Sequence, residues 1–268
     1  MILEKTLELI KQIYKYHKIV APKITNVVIG LGYTGVEVSA YCYEPILGLA
    51  QTLPNIIRNF DCSKIDYAGN LMKLPLTEIL SWVTEKPSLQ KIIGIATLNA
   101  VSQHILEIEN PYKELQDDLL EFLKINQNSR ILFIGNIKPL IKKVYRLTKH
   151  ITIVDNNPYL EFSNNFSVKQ SVDELSDEEV KADIVFCSGS SLITDSLEDI
   201  LSLFRKDTYI IVLGPTVSFI PEILFDYGVD IVGGIKIIDS KCTIQVLKEA
   251  GGTKIFKEYG KKYNFIRN

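Results

Sequence analysis

Only three histidines and four cysteines occur in 268 residues, so soft metal ligands are scarce. Cys42, Cys62, Cys187 and Cys242 are far apart, with no C-x-x-C pair and no histidine close in sequence. That spacing excludes a zinc knuckle or a disulfide framework and predicts reduced thiols in a cytoplasmic protein. Charge of one sign is also missing. Thirty basic residues against 32 acidic ones leave a net charge of −2, so no global field draws in nucleic acid or an anionic membrane. No apolar run reaches the roughly 18 residues that a membrane helix needs. Glu4, Lys5 and Glu8 interrupt any signal-peptide core. Internal repeats and low-complexity stretches are absent as well.

What remains is an ordinary globular composition, 46% hydrophobic and 23% charged. At this length the chain can bury a full core and is expected to make two domains. Residues 2 to 18 place Leu3, Leu7, Ile10 and Ile13 at helical spacing, which predicts an amphipathic helix. Strands are expected at Ile24–Ile29 and Thr34–Ala40, and helices at Leu74–Trp82 and Leu89–Leu106. Glu109-Asn110-Pro111 is the boundary candidate, because Pro111 stops one helix and suits the first turn of another. That next helix is expected at Tyr112–Ile125, with Leu115, Leu119, Leu120 and Leu123 on one face. From Arg130 onward, strands Ile131–Ile134, Ile151–Val154, Ile184–Cys187, Ile210–Leu213 and Asp230–Val232 alternate with helices. Such a rhythm predicts a parallel α/β sheet. The basic C-terminal stretch (Lys254, Lys257, Lys261, Lys262, Arg267) reads as a solvated tail.

Gly30-Leu31-Gly32-Tyr33-Thr34-Gly35 matches the dinucleotide fingerprint G-x-G-x-x-G. The fingerprint requires a helix next and an acid some 20 residues on. Here Val36 to Tyr43 alternates with period 2 and Pro45 follows, so a hairpin between antiparallel strands is the expectation.

The informative turns lie further on. Gly135-Asn136 closes one parallel strand, Ser188-Gly189-Ser190-Ser191 another and Gly214-Pro215-Thr216 a third. In a parallel sheet such turns gather at one edge, where backbone N–H groups and hydroxyls favour polar or anionic ligands. Asp155 stands 20 residues after Gly135. It reads either as a ribose acceptor or as a turn residue in Asp155-Asn156-Asn157-Pro158. Cys187 reads as inert packing rather than a nucleophile, since no base accompanies it. Asp195 and Glu198 read as complements to a helix dipole.

These stretches resemble the family that carries the label heavy-metal chelation. The matching residues are Ile134-Gly135-Asn136 with Pro139-Leu140, Val154 to Pro158, Ser188 to Leu192 with Ser196-Leu197, and Leu213 to Thr216. Gly228, Gly233-Gly234, Asp239 and Gly251-Gly252 follow. In the first half Thr34, Gly48-Leu49-Ala50 and Ala96 to Ala100 match more loosely. The resemblance implies an α+β, enolase-N-terminal-like domain over 1–111 and a Rossmann-like α/β domain over 112–268. It also implies a cleft between them, with Thr34 and Asn99 facing the strand-end turns. Thr194 stands where the family has asparagine, and Ser190 and Ser191 where it favours threonine.

The expected function is binding of a small polar or anionic ligand in that cleft, a divalent heavy metal or a metal chelate among the candidates. With so few Cys and His, a metal would need oxygen ligands or a bound chelator. An enzyme using a nucleotide-like cosubstrate such as S-adenosylmethionine is the alternative. No complete catalytic set is identifiable. Neither nucleic acid nor membrane is an expected partner, and the oligomeric state, a homo-oligomer included, stays open.

Overall fold

The computed structural model describes residues 1–41, 43–57, 65–157 and 166–267. Cys42 and Cys62 lie outside them, as does the Pro158 end of the turn after Asp155. The N-terminal helix α1 (Ile2–Tyr16) buries Ile2, Leu3, Leu7 and Ile10, the stripe its sequence period demands. Strands β1 (Lys23–Ile29), β2 (Tyr33–Ser39) and β3 (Ile46–Gln51) form an antiparallel three-stranded sheet in that order. Ile29 pairs with Thr34, so Gly30-Leu31-Gly32 is a hairpin connection and no helix follows the fingerprint. Gly30 is there for close approach. A Cβ on it would stand 2.5 Å from the Leu247 carbonyl oxygen.

Helix α2 (Leu89–Ile108) is buried nearly all round, and Ser88 caps it by accepting from the Lys91 N–H. Beyond it the expected helix over 112–125 shrinks to one turn, Leu119–Phe122, capped by Asp118. The preceding residues instead bond to a strand from the far end of the chain. Leu115 N–H donates to Asn264 O at 2.8 Å and Ile266 N–H to Lys113 O at 3.0 Å.

The second sheet contains β4 (Ile131–Ile134), β5 (Ile151–Val154), β6 (Ser167–Lys169), β7 (Ile184–Ser188), β8 (Tyr209–Leu213), β9 (Ile231–Ile237) and β10 (Gly260–Ile266). Their spatial order is β10-β9-β8-β7-β4-β5-β6, and all neighbours are parallel except β10 with β9. Residues 260–266 are therefore an edge strand rather than a solvated tail. Tyr263 and Phe265 are buried on one face while Lys262 on the other is exposed, and Lys261 is exposed at the strand's start. Helices α3 (Lys138–Val144), α4 (Leu197–Ser202), α5 (Glu222–Asp226) and α6 (Ser240–Lys248) connect the strands.

The β-branched runs are buried on both faces, and alternate residues enter different cores. Leu132, Ile134, Val185, Cys187 and Val212 join the large core that includes α1 and α2. Ile131, Phe133, Ile184, Phe186 and Ile211 join a second core across the sheet. The fold is thus mixed α/β, with the antiparallel sheet and α2 packed beside a mostly parallel sheet. No helix among the described residues is long and apolar enough to cross a membrane.

Candidate functional site

The chain runs outward from β4 to β5 and β6 on one side, then returns to build β7, β8 and β9 on the other. The reversal lies between β4 and β7. In open α/β sheets the crevice outside the carboxyl ends of the strands at such a reversal is where ligands bind. Gly135 leaves β4 there with φ +96°, and a Cβ on it would stand 2.7 Å from Ser188 Cβ at the end of β7. A glycine is required on both counts. The neighbouring turn from β8 is equally close, since a Cβ on Gly189 would meet Val217 Cβ at 3.0 Å.

The polar groups at this edge have definite partners. Ser188 and Ser190 share a hydrogen bond between their hydroxyls at 2.8 Å, and Ser191 Oγ donates to Ser188 O at 2.8 Å. Thr194 Oγ1 donates to Ser191 O at 3.2 Å and lies 2.9 Å from Ser196 Oγ. Asp155 accepts from Asn136 N–H at 2.7 Å and from Asn157 N–H at 2.9 Å. Its carboxylate thus fixes the turn after β4 and the turn after its own strand. Asn136 Oδ1 is buried with no hydrogen-bond partner among the described residues. Cys187, at the mouth of β7, is wholly buried and its thiol is pushed up to about 12 by burial. That removes thiolate chemistry at neutral pH.

Gly214-Pro215-Thr216 belongs to a seam with the antiparallel sheet. Thr216 Oγ1 accepts from Gln51 N–H at 3.0 Å. Asn99, fully buried on α2, donates through Nδ2 to Leu49 O at 2.7 Å, Thr216 O at 3.0 Å and Pro215 O at 3.3 Å. One turn of helix on, Gln103 Nε2 donates to Ser218 O at 2.7 Å and to the Tyr263 hydroxyl at 2.8 Å. Thr34 is fully buried and bonded to Thr52 at 2.9 Å. The structure therefore brings Gly135 against Ser188, joins Asn136 to Asp155, and ties Pro215 and Thr216 to Asn99. Thr34 sits behind this seam, one residue pair from Gln51.

Sequence reasoning missed Gln51, Gln103 and Lys91. Lys91 carries the clearest signal, a lysine at the start of the apolar stretch Ile92 to Ala96. Among the described residues no three of His, Cys, Asp and Glu gather as a group that could hold a metal ion. The described side chains thus supply no three-ligand set of these types for a metal bound directly by the protein.

The chain is similar to several proteins. Residues 118–266 match the model of the DUF364 family and residues 16–102 that of DUF4213, both described as "Putative heavy-metal chelation". It is 28% identical over 189 residues to the uncharacterized protein MJ0500 of Methanocaldococcus jannaschii, covering 70% of each chain. A crystal structure of a DUF364-family protein from Pyrococcus horikoshii superposes with a TM-score of 0.78 at 22% identity, covering 100% of both chains. Another, from Desulfitobacterium hafniense DCB-2, gives 0.72 at 17% identity, covering 98% of this chain and 100% of the other. Both carry the same fold, and both are described as having unknown function. With more than half its length inside the first of those family models, the chain belongs to the DUF364 family.

Proposed function

We propose that the chain binds a small polar or anionic ligand, with a metal chelate as the leading class, between the carboxyl ends of β4 and β7. The supporting observation is the close approach of Gly135 to Ser188 at the sheet's reversal point, with the paired hydroxyls of Ser188 and Ser190 on one strand end and, next to Gly135 on the other, an Asn136 amide oxygen that has no hydrogen-bond partner among the described residues. Hydroxyl and amide groups suit the oxygen atoms of a chelating molecule better than a bare soft cation. The metal would then arrive already wrapped, which accommodates both the family description and the missing donor cluster. In this reading the seam of Asn99, Gln51 and Thr216 joins an N-terminal unit, 1–111, to the Rossmann-like unit, 112–268, and the cleft between them borders the site.

Native mass spectrometry with elemental analysis of the purified protein, followed by calorimetric titration with ferric citrate and nickel–EDTA, tests this. A chelate is expected to bind more tightly than Ni²⁺ alone, and Asn136→Ala with Ser190→Ala is expected to weaken it at least tenfold. Absence of any co-purifying species, together with no heat from either chelate, overturns the proposal.

A second reading, an enzyme using S-adenosylmethionine, draws support from the strand order β6-β5-β4-β7-β8-β9 and from an acid, Asp155, ending the second strand. Against it, Asp155 already serves two backbone N–H groups. If S-adenosylmethionine binds and Asp155→Ala abolishes that binding, this reading displaces the first.

A further inference from the structure

The side chain of Lys91 is 1% exposed. An ammonium so placed has given up its water and needs protein partners in exchange. Its Nζ donates to Glu85 O at 3.0 Å and forms an ion pair with the Asp195 carboxylate. Asp195 lies 104 residues away, in the loop that continues from the Ser188–Ser191 turn. Its backbone sits in the left-handed region, with φ +58°, which aspartate and asparagine enter more readily than other non-glycine residues but at a cost that a fixed partner offsets.

The loop's other hydrogen bonds are short-range, while Leu192 and Ile193 are buried in the large core. Ile193 N–H donates to Ser190 O at 2.9 Å and Ser196 N–H to Ser191 O at 3.0 Å. Thr194 adds its hydroxyl to Ser191 O. These bonds close the loop on itself. The ion pair is different, because it fastens the loop to the first turn of α2, on the other side of the seam.

We propose that Lys91 is the positioning residue of the serine loop, fixing the hydroxyls of Ser188 and Ser190 by holding Asp195 in its left-handed conformation. The effect on ligand binding rests on the function proposed above; the effect on the loop does not. Lys91 itself touches no ligand in this scheme. It lends a charge from the α2 side to the geometry of a turn on the β7 side.

Asp195→Asn is the decisive variant, since asparagine keeps the size and tolerates the left-handed backbone while losing the charge. Amide hydrogen exchange on the full chain is expected to accelerate at least tenfold over 189–196, with 92–105 of α2 unchanged. Lys91→Met is expected to give the same local pattern; where it fails to fold, Asp195→Asn alone decides. Unaltered exchange over 189–196 in Asp195→Asn, or acceleration spread evenly over the chain, overturns the proposal. Ferric citrate serves as the binding probe, and its affinity is expected to fall at least tenfold in Asp195→Asn. If it binds neither protein, the ligand reading suffers while the exchange data still judge Lys91.

Discussion

Gly135 and Ser188 end strands that are neighbours in space but 53 residues apart in sequence, and no methyl group fits between them. Alanine at 135 would combine a left-handed backbone, φ +96°, with a Cβ 2.7 Å from Ser188 Cβ. We expect Gly135→Ala to cost on the order of 2–4 kcal/mol from strain and overpacking together. Urea unfolding measures it. Adding Ser188→Gly should recover part of the loss, and a single variant within about 0.5 kcal/mol of the parent would contradict the close contact.

Asn99 supplies the second prediction. Its Nδ2 donates to carbonyls from both sides of the seam, Leu49 O and Thr216 O. Asn99→Leu keeps the volume but strands those acceptors, at about 2–4 kcal/mol for the two. A cooperative unfolding transition shifted by that amount is the expected outcome. An unchanged midpoint would mean the seam holds without the amide.

How far these features could be read from sequence depends on where each one's cause lies. The central strands β4, β5, β7 and β8 were legible because residues such as Val185 and Ile211 are apolar on both faces and β-branched. The glycine and hydroxyl turns after them were legible for the same local reason. Residues 112–118 and 260–266 were not, since 260–266 is a strand through its pairing with β9 and the segment before Leu119 is held beside it. Leu115 donates to Asn264 and Ile266 to Lys113, bonds that no local pattern announces. Strand β3 was missed too, because Ile46-Leu47-Gly48-Leu49-Ala50 neither alternates nor carries the β-branched run that marks the central strands. Asn99 was visible only through family resemblance, and the place of Lys91 beside an apolar stretch did not reveal its role, because its partner Asp195 is remote in sequence.

Thiol chemistry gives a third test. Cys187 is fully buried, with its thiol held near 12, whereas Cys242 is exposed at the start of α6. Treatment of the native protein with iodoacetamide at pH 7.5, followed by peptide mapping, should label Cys242 and spare Cys187. Labelling of Cys187 at a comparable rate would show that β7 opens at its carboxyl end, and would return a nucleophile to the candidate site.

The last prediction concerns acid. His104, 1% exposed on α2, has Nδ1 2.7 Å from the Tyr14 hydroxyl and its ring edge-on to Tyr43 at 5.1 Å, while Nε2 is buried without a partner. Burial lowers its pKa and Glu107 opposes that in part. The unfolded ring takes up a proton near pH 6.5, and the folded ring resists it to lower pH. Between those two points the unfolded state binds more protons, so this contribution to stability is complete above about pH 6.5 and is lost as pH falls toward the folded value. One unit below the unfolded pKa, at pH 5.5, the loss is at most about 1.4 kcal/mol. His104→Phe keeps an aromatic ring against Tyr14 and Tyr43 but cannot take up a proton. Its urea midpoint should therefore fall less than the parent's between pH 7.5 and 5.5, although its stability at pH 7.5 is lower for want of the Tyr14 hydrogen bond. Parallel pH profiles for the two proteins would place the acid sensitivity elsewhere, and Asp183 cannot supply it. Arg130 holds that carboxyl below its ordinary range, so its contribution is kept at neutral pH and lost only at lower pH as the carboxylate protonates.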